Sequence, residues 1–231
     1  MVVTPQMYYE DHIEGKSAVD IRNEITKLNN AIEKLKYKME DPCALYEYTI
    51  ETSPDDDMIL YFMRLYRKRA IAALNEMNEE YELSQEEKDD LAFKELMPCI
   101  KRMELRVNGY SALSHRVMTV TVDGDFIKID RDWAFDNREM EVVETERVFA
   151  LLEDLHLGEW REEYLPEIYE IVIMDGISWD LEICFSDNVP SKHIYGSNVY
   201  PYNFYEFLEI FGAEDILNDV DDVAFAKNIE N

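Results

Sequence analysis

Glycine and proline are scarce, at seven each in 231 residues, which leaves no flexible linker or low-complexity segment to interrupt a folded chain. Cysteine is scarcer still. Cys43, Cys99 and Cys184 are odd in number, widely spaced and never in a CxxC pair, so neither a disulfide framework nor a cysteine-based zinc site is expected. No apolar run approaches the ~20 residues needed to span a bilayer, and residues 1–6 lack the basic and apolar regions of a signal peptide. A reduced, cytoplasmic protein without a membrane partner is the expectation. Cations are short as well: 23 Lys and Arg stand against 51 Asp and Glu, a formal net charge of −28. Phosphate contacts require Lys and Arg, so direct binding of nucleic acid is not expected.

Recognisable catalytic patterns are missing too. The four histidines, His12, His115, His156 and His193, form no HxH, HExxH or i,i+4 pair. Residues 109–113 lack the second glycine of a nucleophile elbow, and no glycine-rich phosphate cradle occurs. Asp123-Gly124-Asp125 and Asp130-Arg131-Asp132 could meet a divalent ion, but neither fits a twelve-residue calcium loop. On the residues alone, no catalytic group, cofactor or metal is assigned, and the balance leans away from an enzyme.

What is present is a core. Hydrophobic residues make up 47% of the chain and aromatics 12%, which separates it from disordered acidic tails. Ser17 reads as an N-cap with Asp20 three residues on. Ile21, Ile25, Leu28, Ile32, Leu35 and Met39 then recur at spacings of four and three, a heptad seam that Pro42 ends. Such a seam fits a helical hairpin within the chain, or a parallel dimer through Ile25, Leu28, Ile32 and Leu35. The first is favoured because the stripe covers barely three heptads. A second helix over about 58–81 buries Phe62, Leu65, Tyr66, Ala73 and Met77, and carries the dense basic cluster Arg64, Arg67, Lys68 and Arg69. A third, over about 84–97, opens on the capping box Ser84-Gln85-Glu86-Glu87.

The period then changes. Segments 103–107, 116–122 and 126–129 are β-branched, and Asp123-Gly124 is a two-residue hairpin signal. A helix is expected over about 145–159. Strands follow over 169–174, 179–185 and near 193–195, then a short helix carrying Phe204, Phe207, Leu208 and Phe211. The fold class is α+β: a helical hairpin or small bundle over residues 1–99, then a twisted antiparallel sheet packed by helices over 100–231.

The segment Asp175-Gly176-Ile177-Ser178-Trp179, followed by Gly196-Ser197-Asn198-Val199-Tyr200-Pro201-Tyr202-Asn203-Phe204, resembles a pattern of uncharacterised bacterial proteins: a DG-x-x-W strand and a G-[ST]-N-x-[YF]-P-x-N-[FW] turn. Trp160, Tyr164 and Gly109-Tyr110-Ser111 belong to the same pattern, which covers about residues 100–212. The resemblance implies bacterial or phage origin and a fold, and carries no chemistry. Physically the turn is a structural device. Gly196 and Asn198 suit positive φ, Asn203 suits a helix cap, and Trp179 suits a core anchor. The competing expectation is a ligand pocket lined by Trp179, Tyr195, Asn198 and Tyr200.

The charge itself suggests a partner. Residues 130–187 hold 18 acids against Arg131, Arg138, Arg147 and Arg161 alone. Glu139, Glu141, Glu144, Glu146, Glu153, Asp154, Glu159, Glu162 and Glu163 form the candidate acidic band. Rows of carboxylates on a rigid surface can imitate the phosphates of duplex DNA, about one charge per ~1.7 Å. The leading expectation is a non-enzymatic acidic protein that occupies a basic nucleic-acid-binding groove on another protein. An inhibitor of the anti-CRISPR kind, or another phage counter-defence protein, would act in this way. A dimerising regulatory module and a small-ligand sensor or enzyme near residues 195–202 are the alternatives.

Overall fold

The computed structural model describes residues 3–43, 55–109, 115–133, 140–173, 176–186 and 188–217. The chain divides into two compact units, Met1–Leu83 and Ser84–Asn231.

In the first unit, α1 (Pro5–His12), α2 (Ala18–Glu40) and α3 (Asp56–Glu76) share one apolar cluster. Ser17 caps α2 as its sequence implies, its Oγ accepting from the Asp20 amide at 3.3 Å. Ile21, Ile25, Leu28 and Ile32 are buried in the single chain, against α1 and α3 for the first three. Tyr8 stacks on Tyr66 at 4.1 Å and donates to Glu24 Oε1 at 2.7 Å. Burial and the neighbouring Glu24 carboxylate raise the Tyr8 hydroxyl well above its ordinary pKa. Helix α3 is shorter than its pattern suggested. Asn78 takes the left-handed conformation with φ 58°, and the Glu79 amide reaches back to Leu74 O at 3.2 Å, a Schellman stop built on asparagine instead of glycine. Met77 is therefore past the helix and 45% exposed, not buried.

The second unit is α+β. Among the described residues its sheet has seven strands in the order β4-β3-β2-β1-β6-β7-β5, from β1 (Ile100–Asn108), β2 (His115–Asp123), β3 (Phe126–Asp132), β4 (Glu141–Glu144), β5 (Glu163–Tyr164), β6 (Ser178–Phe185) and β7 (Lys192–Ser197). All pairings are antiparallel except β5 with β7, so the sheet is mixed. Met103, Leu105 and Val107 of the middle strand are fully buried. They share a core with α4 (Gln85–Leu96), α5 (Thr145–Asp154) and α6 (Phe204–Ile210) through Phe93, Val148, Leu152, Phe204 and Phe207. The alternation of the strands puts Arg102, Glu104, Arg106, Asp180 and Glu182 on the other face.

Several expectations change here. The sequence pattern assigns α4 to the helical region over 1–99, yet Phe93 and Met97 enter the sheet's core, so α4 belongs to the second unit. The strand expected over 169–174 is absent from its described part: Pro166–Tyr169 is a 3₁₀ turn, and Val172 is 85% exposed. A β-branched run without a pairing partner does not make a strand. Helix α5 ends at Asp154 because His156 is left-handed, with φ 53°. Two edge strands, β4 and β5, were not foreseen. Among the expected features, Ser53 and Pro54 before α3, residues 110–111 of the resemblance, Glu139, Met174 and Asp175, and the tail after Leu217 lie outside the described residues.

Candidate functional site

The turn that carried the resemblance is consumed by structure. Trp179 is 1% exposed, and its Nε1 donates to Val199 O at 2.9 Å. Asn198 has φ 55°, and its Oδ1 accepts from the Ile177 amide at 2.9 Å. Gly196 does not need positive φ; a Cβ there would stand 2.5 Å from Trp179 Nε1, so the indole requires the glycine. Asn203 does not cap α6 with its side chain. Instead it accepts from Trp160 Nε1 at 2.8 Å and donates to Leu155 O at 2.6 Å, binding the segment after α5 to the start of α6. Tyr200 stacks beside Trp179, whereas Tyr195 is 40% exposed and donates to Glu163. The four residues expected to line one pocket thus divide between the core and the surface.

The acidic band divides as well. Strands β4 and β5 are opposite edges of the sheet, six strand spacings or about 29 Å apart. Glu141 and Glu144 therefore sit at one edge, Glu163 at the other with Glu162 beside it. Glu141 is tied to the buried Arg131 at 2.8 Å, and the Glu159 side chain is only 6% exposed. Glu153 and Asp154 are exposed at the end of α5.

A tighter group exists at the β4 edge. Glu144 pairs across the strands with Phe126, and the Thr145 amide and hydroxyl hold Asp125 O and Gly124 O at 2.9 and 3.0 Å. This joins the Asp123-Gly124-Asp125 hairpin tip to Glu144 and the first-turn Glu146. Phe126 and Val142 beside them are 52% and 54% exposed. The nearby cation, Lys128, is held by Asp123 at 2.7 Å. From sequence, Asp123 and Asp125 suggest a divalent-ion pair or a turn and not a partner surface; only strand pairing reveals their neighbours.

The densest chemistry lies elsewhere. His156 Nδ1 is 2.7 Å from Asp90 Oδ2, with Lys94 Nζ 2.8 Å from the same oxygen and 3.3 Å from the imidazole nitrogen. Glu159 Oε1 is 3.9 Å from His156 Nδ1, and Tyr202 Oη donates to Glu159 Oε2 at 3.3 Å. Burial pushes the Asp90 carboxyl up, but the hydrogen bonds and charges of His156 and Lys94 outweigh it and hold the group below its ordinary range. Gly158 makes the approach possible, since a Cβ there would stand 2.3 Å from Asp90 Cα. Lys192 of β7 rests 5.5 Å over the Phe93 ring. Its ammonium is pushed down by burial, against the opposing pull of Asp89, Glu162 and Asp90. Glu159 and Glu162 were singled out from sequence only as members of the acidic band; Asp90 and His156 could not be joined, because 66 residues separate them and no spacing rule links them.

Comparison with protein-family models, with curated proteins and with solved structures finds no match. No helix among the described residues is long and apolar enough to cross a membrane.

Proposed function

We propose that this chain is an acidic, non-enzymatic binding protein whose α+β unit engages a basic groove of the kind that holds nucleic acid. One observation carries the reading: the corner formed by Asp123, Asp125, Glu144 and Glu146 around exposed Phe126 and Val142. Solvation of a surface needs the carboxylates but not the two apolar side chains among them. An apolar centre within a charged rim is how protein interfaces are built. Three arginines of this unit are engaged away from the corner, whereas Arg147 is exposed beside Glu146. Arg102 and Arg106 flank Glu104, and Arg131 turns inward to Glu141 and Phe211 O. The complementary partner is cationic, and its recognition weakens with salt.

The test is displacement of labelled duplex DNA from a panel of nucleases with basic DNA grooves. The wild-type chain is expected to displace DNA from one of them at low salt. The Asp125→Lys/Glu144→Lys variant should lose about tenfold or more in that competition, and Phe126→Ser a comparable amount at all salt concentrations. Asp11→Lys/Glu14→Lys applies the same charge change to exposed positions of the helical unit and should compete like wild type. Equal losses from both double variants would reduce the effect to net charge and end the proposal.

A further inference from the structure

A carboxylate taken out of water needs its lone pairs satisfied. The Asp90 side chain is 8% exposed. Its Oδ2 receives His156 and Lys94, but its Oδ1 is buried without a hydrogen-bond partner among the described residues. The same carboxylate faces His156 Nδ1 and Glu159 Oε1, and one ligand atom from each of the three residues lies within 4.8 Å of the others. A small divalent ion with bonds of about 2.0–2.2 Å holds tetrahedral ligands roughly 3.3 Å apart. The measured 2.7 and 3.9 Å from Nδ1 to the two carboxylates bracket that value.

We propose that Asp90, His156 and Glu159 form a binding site for a divalent transition-metal cation of the zinc type, with Lys94 as its tethered competitor. One imidazole nitrogen and two carboxylates are a donor set that zinc accepts. Without a metal, the Lys94 ammonium lies within hydrogen-bond reach of both Asp90 Oδ2 and His156 Nδ1. It is 23% exposed and can swing outward. A divalent ion would replace its single charge and give the orphaned Oδ1 a partner by bidentate coordination. Tyr202 Oη and the Gly158 contact already orient Glu159 and the turn from outside the ligand shell, as supporting groups do in metal sites. The surrounding negative field favours a cation.

Titration calorimetry with zinc chloride on the chelator-stripped full chain tests this, with cobalt(II) absorption reporting coordination. One ion per chain is expected, with visible bands of four- or five-coordinate cobalt. Lys94→Gln should tighten zinc binding about tenfold, because it removes the competitor and keeps the ligands. His156→Gln and Asp90→Asn should each weaken it about 100-fold or abolish it. Lys94→Gln keeps the question answerable if loss of Asp90 or His156 unfolds the chain. Absence of saturable binding by both wild type and Lys94→Gln would overturn the proposal. Unchanged binding in His156→Gln would do so too, by placing the ion on surface carboxylates.

Discussion

In the helical unit, the core is assembled from positions three and four apart along two long helices; in the α+β unit, it comes from strands and helices distant in the chain. The charge follows the same division. Residues 1–83 hold 17 acids and 10 bases, and residues 84–231 hold 34 and 13. The helical unit pairs its cations within itself: Arg22 with Glu79 at 2.6 Å, and Arg69 with Glu76 at 3.4 Å and over the Tyr9 ring. Two members of the α3 basic cluster are drawn into their own unit, Arg69 by these contacts and Arg67 by reaching Asn29. In the α+β unit several cations are drawn to buried or half-buried acids, and surplus acids are left outside. The lesson is that an excess of one sign becomes a surface feature where the fold uses its few counter-charges inside.

The largest expected effect separates the two cores. Trp179→Ala removes a fully buried indole that packs against Tyr164 and Phe204 and should destabilise the α+β unit by about 3–5 kcal/mol in denaturant titration. Hydrogen exchange should show lost protection within residues 84–217 while α2 and α3 keep theirs. Loss in both units alike would mean that they unfold as one, and the comparison would break.

The reciprocal change is Ile25→Ala, at a seam position 1% exposed. It should cost about 3 kcal/mol, with lost protection confined to α1, α2 and α3. Sedimentation should give a monomer for wild type and variant, since Ile25, Leu28 and Ile32 are already covered within one chain. A wild-type dimer that Ile25→Ala dissolves would restore the seam as an interface.

Asp90→Asn should cost about 2 kcal/mol at neutral pH, through charge-assisted bonds weakened at a buried acceptor. Because the folded-state pKa of Asp90 lies below the ordinary 3.8, the carboxylate's contribution is complete above that value. It is lost as pH falls through the lower folded-state value. The stability gap between wild type and variant should therefore close in acid. A gap independent of pH would show that the Asp90 charge contributes nothing.

The smallest effect concerns the surface. Asp125→Lys/Glu144→Lys should leave stability within about 0.5 kcal/mol of wild type. Reduced self-repulsion is offset by a cation placed at the N-terminus of α5. Reversing Glu141 or Glu159 instead would disturb Arg131 or the His156 turn, so those positions cannot report on the surface alone.

Local signals were legible wherever neighbours along the chain decide the outcome. The Ser84 capping box forms as read, with both reciprocal bonds present. The Asp123-Gly124 hairpin places Asp123 opposite Phe126, and Ile25 and Trp179 are buried as their patterns require. The α+β class follows from the change in hydrophobic period alone. The band of glutamates was legible only as composition, because one-dimensional proximity does not tell which sheet edge a strand will occupy. Strand order sent Glu141 and Glu163 to opposite edges and brought Asp125 to Glu144. Cysteine and histidine spacing could not foresee Asp90 beside His156 either, since that meeting depends on α4 docking on the left-handed turn through Gly158. Many helix periods, caps and turns are set by interactions within a few residues and can be read along the chain. Which carboxylates share a surface, and which share a cation, depends on packing across the whole unit, because strand order and helix docking bring together residues far apart in the chain.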